Sequence, residues 1–217
     1  MDTRNSFALN ELDKKLYPYL KFRNGFYIEA GANDGITQSN TLFFEKYQNW
    51  KGLLIEPIPE VYERCKANRP KAIVENYALV PFDFKESFIE MRFSNLMSLV
   101  KGAMKTEEEE LNHIAKGCDV QQVHTYEVKV PVATLSSLLE KHHIKKIDLL
   151  SLDVEGFELS VLKGIDMKKH APKYILVEAR FREEIDAYLS SWYLPIAQLS
   201  HHDILYKKKS FWQNLWN

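Results

Sequence analysis

The sequence has only two cysteines, Cys65 and Cys118, which sit far apart and in no C-x-x-C or metal-ligand spacing. A disulfide framework is therefore excluded as what holds the chain together, and two free thiols point to a reducing compartment. An excess of charge of either sign is lacking as well. Lys and Arg total 29 against 30 Asp and Glu, a net charge of −1, which excludes the basic footprint of a nucleic-acid-binding chain. Long apolar runs are missing, since stretches such as Gly52–Ile55 fall far short of a membrane span. Met1-Asp2-Thr3-Arg4-Asn5 lacks the basic-then-apolar pattern of a secretory signal, so a cytoplasmic location is expected. Glycine and proline number only 8 each and never cluster, so no linker or low-complexity segment divides the chain. No internal repeat is visible.

An apolar share of 45% and a charged share of 27% match an ordinary globular protein and exclude disorder. At 217 residues the chain is expected to form a single domain over 1–217. Short apolar runs ending in an acid alternate with helical stretches. The runs are 26–29, 52–56, 72–76, 147–153 and 174–178, and continuous apolar runs are what strands buried on both faces of a parallel sheet require. Helices are predicted over 40–47, 59–68, 134–142, 157–162 and 182–190, with Ser39 a candidate N-cap for the first and Pro59 opening the second. This alternation predicts an α/β fold with right-handed crossovers. At the end, 194–199 and 202–206 are strand-like and separated only by Ser200 and His201, which allows a hairpin but no crossover, so the last strand should run antiparallel. One block breaks the pattern. Residues 87–93 and 127–132 alternate as strands do, and between them lies a polar stretch, 101–124, without a strong period. An insertion or lid is expected at about 84–125. The runs Glu107–Glu110 and Lys207–Lys209 read as solvated surface.

The strongest local signal is Glu29-Ala30-Gly31-Ala32-Asn33-Asp34-Gly35, directly after a strand. Two glycines there let backbone approach a ligand closely, at the strand ends where open α/β sheets bind ligands. The spacing is neither the dinucleotide fingerprint nor a P-loop. A turn that merely ends a strand is the plain alternative. Glu56, followed by Pro57, ends the next strand, where a carboxylate can accept hydrogen bonds from both hydroxyls of a ribose. Without a phosphate cradle, a cationic adenosine ligand such as S-adenosylmethionine fits better than a pyrophosphate cofactor. Asp153-Val154-Glu155-Gly156 closes another strand, and Glu178 ends its neighbour. Such a cluster suits a divalent cation, Mg²⁺ or Mn²⁺ held by Asp153, Glu155 and Glu178, or a proton-transfer role. Helix N-terminal acids complementing the macrodipole are the alternative. Of His201 and His202, adjacent in a strand, at most one can face the crevice. Tyr17, Tyr19 and Phe22 either close over a ligand or pack on the sheet. The aromatic tail 211–216 is a candidate for packing on its own domain or for a homodimer contact.

Residues 26–35, Ser39-Asn40-Thr41, Trp50-Lys51-Gly52, Ile55-Glu56-Pro57, Asn68-Arg69-Pro70 and the long run 147–159, with Leu162 and Gly164 after it, resemble the FkbM-type S-adenosylmethionine-dependent methyltransferases. The resemblance covers roughly 23–80 and 128–206. It implies a Rossmann-like class I methyltransferase fold, a mostly parallel seven-stranded sheet with an antiparallel last strand and helices on both faces. It also implies O-methyl transfer to hydroxyls of sugars, glycans or secondary metabolites. By position, Glu29, Gly31, Ala32, Asn33, Gly35 and Ser39 would lie on the methionine and ribose side of the cofactor. Glu56 with Pro57 would hold the ribose, and Asn76, Tyr77 and Ala78 would lie near the adenine. Asp153 would border cofactor and acceptor, with Glu178 or His201 as further catalytic candidates.

The expected function is thus S-adenosylmethionine-dependent O-methylation of a sugar or glycan acceptor. A non-catalytic binding module of the same fold, or an enzyme for a non-sugar metabolite, is the alternative. The charge balance and the lack of an Asn/Asp-Pro-Pro-Tyr/Phe signature speak against a nucleic-acid substrate.

Overall fold

The computed structural model describes residues 4–210. In chain order the regular elements are α1 (Leu12–Leu16), β1 (Phe26–Ala30), α2 (Leu42–Gln48), β2 (Lys51–Ile55), α3 (Pro59–Asn68), β3 (Ile73–Glu75) and β4 (Ala78–Leu79). There follow β5 (Phe88–Arg92), β6 (Leu99–Val100), α4 (Glu107–Gln121), β7 (Glu127–Ala133), α5 (Leu135–Lys141) and β8 (Leu149–Leu152). The chain closes with α6 (Glu158–Leu162), β9 (Tyr174–Glu178), α7 (Arg182–Leu189), β10 (Tyr193–Gln198) and β11 (Asp203–Lys208). The aromatic tail 211–216 lies outside the described residues.

Seven strands form one sheet in the order β10-β11-β9-β8-β1-β2-β3. Pairing is parallel except along β11, which runs against both β9 and β10. This is the architecture that the resemblance implies. The apolar runs that predict the strands are buried for the expected reason: each face of the sheet is covered. On one face Ile28, Leu53, Leu150 and Val177 pack against Leu138 of α5, Leu162 of α6 and Ile185 of α7. On the other, Tyr27, Leu54, Leu149 and Leu176 pack against Phe43 and Phe44 of α2 and Leu16 of α1. Tyr17 and Phe22 join that second core, and Tyr19 is exposed. Cys65 is buried and Cys118 half-buried, both as free thiols. Among the described residues no helix is long and apolar enough to cross a membrane.

The segment expected to be an insertion or lid contains regular structure. Residues 107–121 form the 15-residue helix α4. The side chain of Thr106 caps it by accepting from Glu109 N, and the four glutamates of its first turn complement the positive end of the helix dipole. The acidic run is also not wholly solvated: Glu110 is buried and paired to Arg92 at 2.7 Å. The helix lies against Asn95–Met97, and a β-carbon at Gly117 would come within 2.0 Å of Ser94 Oγ, so a small residue is needed there. A second sheet, β4-β7-β5-β6, carries this helix. Only Ala78 and Leu79 of β4 join it from the core side, pairing in parallel with Val132 and Ala133. We call β5, β6, α4 and β7 the cap.

Candidate active site

The parallel strands end on one side of the sheet. Between β1 and β8, whose connections leave in opposite directions, a crevice opens at the switch point. The chain leaving β1 turns sharply, with Gly31 N and Ala32 N both donating to Ile55 O. Gly31 has φ +81 and rests on the backbone of Asp153. The turn, the ends of β2 and β8, and the cap enclose a cavity, at the strand ends where open α/β sheets bind ligands.

Of the residues singled out from the sequence, Gly31, Asn33, Glu56 and Pro57 line this cavity, as do Tyr77, Ala78, Asp153 and Glu155. Glu56 is buried. One of its carboxylate oxygens accepts from Asn33 N and the other from Ile58 N, each at 2.9 Å. Burial pushes its carboxyl up to about 7 against the pull of those two donors. Asn76 lies just outside the lining. Its amide donates to Glu56 O and Pro57 O and so fixes the turn that aims Glu56.

Glu29, Ser39, Ala32 and Gly35 do not line the cavity. Strand alternation sends Glu29 to the same face as Tyr27, toward α2 and α3. There its carboxylate accepts from Ser39 Oγ, Asn40 N and Thr41 Oγ1 at 2.6–2.8 Å. Ser39 in turn accepts from Leu42 N at the start of α2. Arg69, which is 1% exposed, braces the same layer through Glu45, Tyr27 Oη and Gly35 O. These residues shape the loop from behind. His201 and His202 precede β11 on the hairpin turn, exposed and ring to ring at 4.4 Å, and neither lines the cavity.

At the end of β8, Asp153, Glu155 and Glu178 each bring a carboxylate oxygen to within 4.8 Å of the others. Asp153 is exposed and lines the cavity. Desolvation, reinforced by Glu178 and Glu155, pushes its carboxyl well above the usual range, and Glu178 is pushed up as well. Glu155 stands at φ +54, followed by Gly156 at φ +97. Its Oε2 lies 3.0 Å from Arg180 Nη2 and 3.2 Å from Nε2 of His113, a residue of α4.

Sequence reasoning does not find the cap's share of the wall. Met91, Asn95, Leu96, Ser98 and Val100 face the cavity opposite the glycine turn. Asn95 Oδ1 accepts from Asn33 Nδ2 at 3.2 Å, which links cap to turn. Their only sequence signal is membership of the block that breaks the strand–helix alternation.

A seven-stranded sheet in this order, with its last strand reversed and a cavity at the switch point, defines the S-adenosylmethionine-dependent methyltransferase fold. The match to known families is then specific: the chain belongs to the methyltransferase FkbM domain family, whose model covers residues 29–206. It is 27% identical over 153 residues to Methyltransferase 1 of Beauveria bassiana (strain ARSEF 2860), a match covering 66% of this chain and 59% of that protein. The chain thus spans less than two thirds of that relative's length. Similar solved structures include a TehB-like S-adenosylmethionine-dependent methyltransferase from Corynebacterium glutamicum, at 11% identity, TM-score 0.46, 91% of this chain and 88% of that one. Another is TrmK of M. capricolum in complex with S-adenosyl-homocysteine, at 8% identity, TM-score 0.45, 90% of this chain and 68% of that one.

Proposed function

We propose that the chain is an O-methyltransferase that moves the methyl group of S-adenosylmethionine to a hydroxyl of a sugar or glycan. The observation that carries this reading is a single cavity bordered by a buried carboxylate at the end of β2, Glu56, and by an exposed one at the end of β8, Asp153. Each oxygen of Glu56 accepts one backbone N–H and keeps a free lone pair, which is the acceptor pattern a vicinal diol needs. The tight turn at Gly31 lets backbone approach a ligand without a side chain between. Tyr77 and Ala78 offer an aromatic and a small surface beside Glu56, which suits an adenine. These features fit the cofactor.

The cofactor supplies an electrophilic methyl carbon on a cationic sulfur. The protein's part is to hold the acceptor in line with it and to take the hydroxyl proton, and positioning alone can contribute several kcal/mol. Asp153 is the residue for the proton. Its raised carboxyl is the property of a group recruited as a general base, and its surface is open to the cavity. The acceptor would enter against the cap, where Asn95 offers an amide of the kind that recognises polyols.

The reading is tested in two stages. S-adenosylmethionine and S-adenosylhomocysteine at 100 times their dissociation constants should stabilise the fold by about 2.7 kcal/mol in thermal or urea unfolding. Absence of stabilisation by either overturns the reading. A panel of free sugars, nucleotide sugars, glycans, non-sugar alcohols and amines is then assayed for methyl transfer, with the product linkage read by mass spectrometry. Turnover on sugars as methyl ethers is expected, and preference for an amine or a non-sugar alcohol overturns the acceptor assignment.

A further inference from the structure

We infer that Asp153, Glu155 and Glu178 from the sheet and His113 from α4 form a divalent-cation site of the Mn²⁺ type that ties the cap to the core beside the cavity. Distances carry the inference first. Metal–ligand bonds of ~2.1–2.4 Å in an octahedron put trans donors ~4.2–4.8 Å apart and cis donors ~3.0–3.4 Å apart. One oxygen from each of the three carboxylates lies within 4.8 Å of the other two, and His113 Nε2 stands 3.2 Å from Glu155 Oε2. The three carboxylates therefore already have the spacing of one coordination shell, and His113 stands next to one of its members.

A second, independent observation is the state of the histidine. The His113 side chain is 8% exposed, and its Nε2 is buried with no hydrogen bond among the described residues, although it points at the acidic cluster. A buried imidazole nitrogen without a hydrogen bond costs free energy unless something else engages it. Glu178 Oε2 is buried and without a hydrogen bond in the same way. A cation between them engages both atoms at once. The local charge agrees. Asp153, Glu155 and Glu178, with Glu158 adjacent, converge where Arg180 is the cation in contact with Glu155. Arg180 is 35% exposed and so free to yield Glu155 Oε2 to an ion.

The donor set decides the class of ion. Three carboxylates favour hard cations, and one imidazole moves the preference from Mg²⁺ and Ca²⁺ toward Mn²⁺ and its neighbours. Because His113 comes from the cap and the carboxylates come from the ends of β8 and β9, loading the site fastens α4 over the crevice. The ion's use in acidifying an acceptor hydroxyl rests on the methyl-transfer reading above. Its binding does not.

The test uses the full chain, stripped with EDTA and titrated with Mn²⁺ alone. Calorimetry and the loss of the free-ion electron spin resonance signal should show one saturable equivalent. Pulsed spin resonance of that complex should show coupling to a histidine nitrogen, which requires no variant. Asp153→Asn should abolish binding and His113→Ala should weaken it at least about tenfold. No saturable binding by the parent, no nitrogen coupling, or unchanged affinity in His113→Ala each overturns the site. Stabilisation by S-adenosylhomocysteine without added metal is read in parallel. If that persists while Mn²⁺ fails to bind, the ion site is wrong and the methyltransferase reading stands.

Discussion

A β-carbon on Gly31 would lie 1.8 Å from the carbonyl oxygen of Asp153. The turn after β1 and the acid at the end of β8 are therefore in backbone contact, and the two halves of the sheet are locked together at the point where the crevice opens. Asp153 N donates to Ala30 O at 3.2 Å and completes the contact. Gly31→Ala must displace backbone on one side or the other and must also hold alanine at φ +81, itself worth roughly 1–2 kcal/mol. The expected outcome in urea unfolding is a loss of more than about 2 kcal/mol, or failure to fold. A loss below about 0.5 kcal/mol would show that the contact is not tight.

Arg69 supports the same turn from below. Its guanidinium donates to Glu45, Tyr27 Oη and Gly35 O within a buried layer that also holds Glu29. Removing one partner of a buried ion pair leaves the other uncompensated, so Arg69→Met should cost about 3–5 kcal/mol. Arg69→Lys should recover only part, since an ammonium cannot reach all three acceptors from one stem. Full recovery by lysine would mean that charge alone, not the planar fork, holds the layer.

Glu56 carries a prediction on binding. Glu56→Ala should weaken affinity for S-adenosylhomocysteine by about 1.5–3 kcal/mol, the scale for hydrogen bonds to a charged group. Calorimetry giving an unchanged dissociation constant would remove Glu56 from the cofactor site.

The strands and most helices are legible in the sequence because each follows from one local rule. Tyr174–Glu178 and Pro59–Asn68 coincide with their apolar run and their proline start. The helix α4 is not legible, because the face it buries carries Glu110 and Gly117 beside Ile114 rather than an apolar stripe. Ile114 is buried while Leu111 and Val120 are 51% and 70% exposed, so the 3.6-residue period is blurred. The burial of Glu110 depends on Arg92 in another element, and the role of His113 depends on Glu155 across the crevice. Such pairings are tertiary, and no spacing announces them. Glu56 and Asp153 are legible because a strand end in a parallel sheet fixes where a side chain points. Glu29 shows the limit of that argument: two residues before the turn, it faces α2 instead.

The stability of the ligand-free protein should fall as pH rises. Burial holds the carboxyls of Glu56 and Glu158 up at about 7, from ordinary values of 4.5. An acid that titrates higher in the fold than in the unfolded chain binds extra protons between those two values, so stability is lost as pH climbs through that window. Glu158 is 1% exposed. One oxygen accepts from Val154 N and Gly156 N, and the other has no hydrogen bond among the described residues. Glu158→Gln keeps an acceptor and removes the ionisation. It should match the parent near pH 5 and exceed it near pH 8 in urea unfolding. A parent profile that rises over this range contradicts the assignment.

The sharpest prediction concerns Asp153. Among the carboxyls at the end of β8 it combines a surface open to the cavity with a proton affinity raised by its neighbours, first through desolvation and then through Glu178 and Glu155. Without a bound cation, in EDTA-stripped protein, a base with that environment is ionised only above the ordinary carboxylate range, so the acid limb of kcat/KM should lie above it. Asp153→Asn has nearly the same shape but cannot take a proton. Its turnover should fall by ~10²–10⁴, the contribution of a positioned general base, and what turnover remains should lose that limb. Affinity for S-adenosylhomocysteine, measured on the same preparation, should be largely retained, which separates loss of the base from loss of the cofactor site. Turnover within a factor of about ten of the parent, with the cofactor still bound, would exclude Asp153 as the base. A normal acid limb in the variant would assign that titration to another group, and Glu178, in the same carboxylate cluster, would be the next residue to replace.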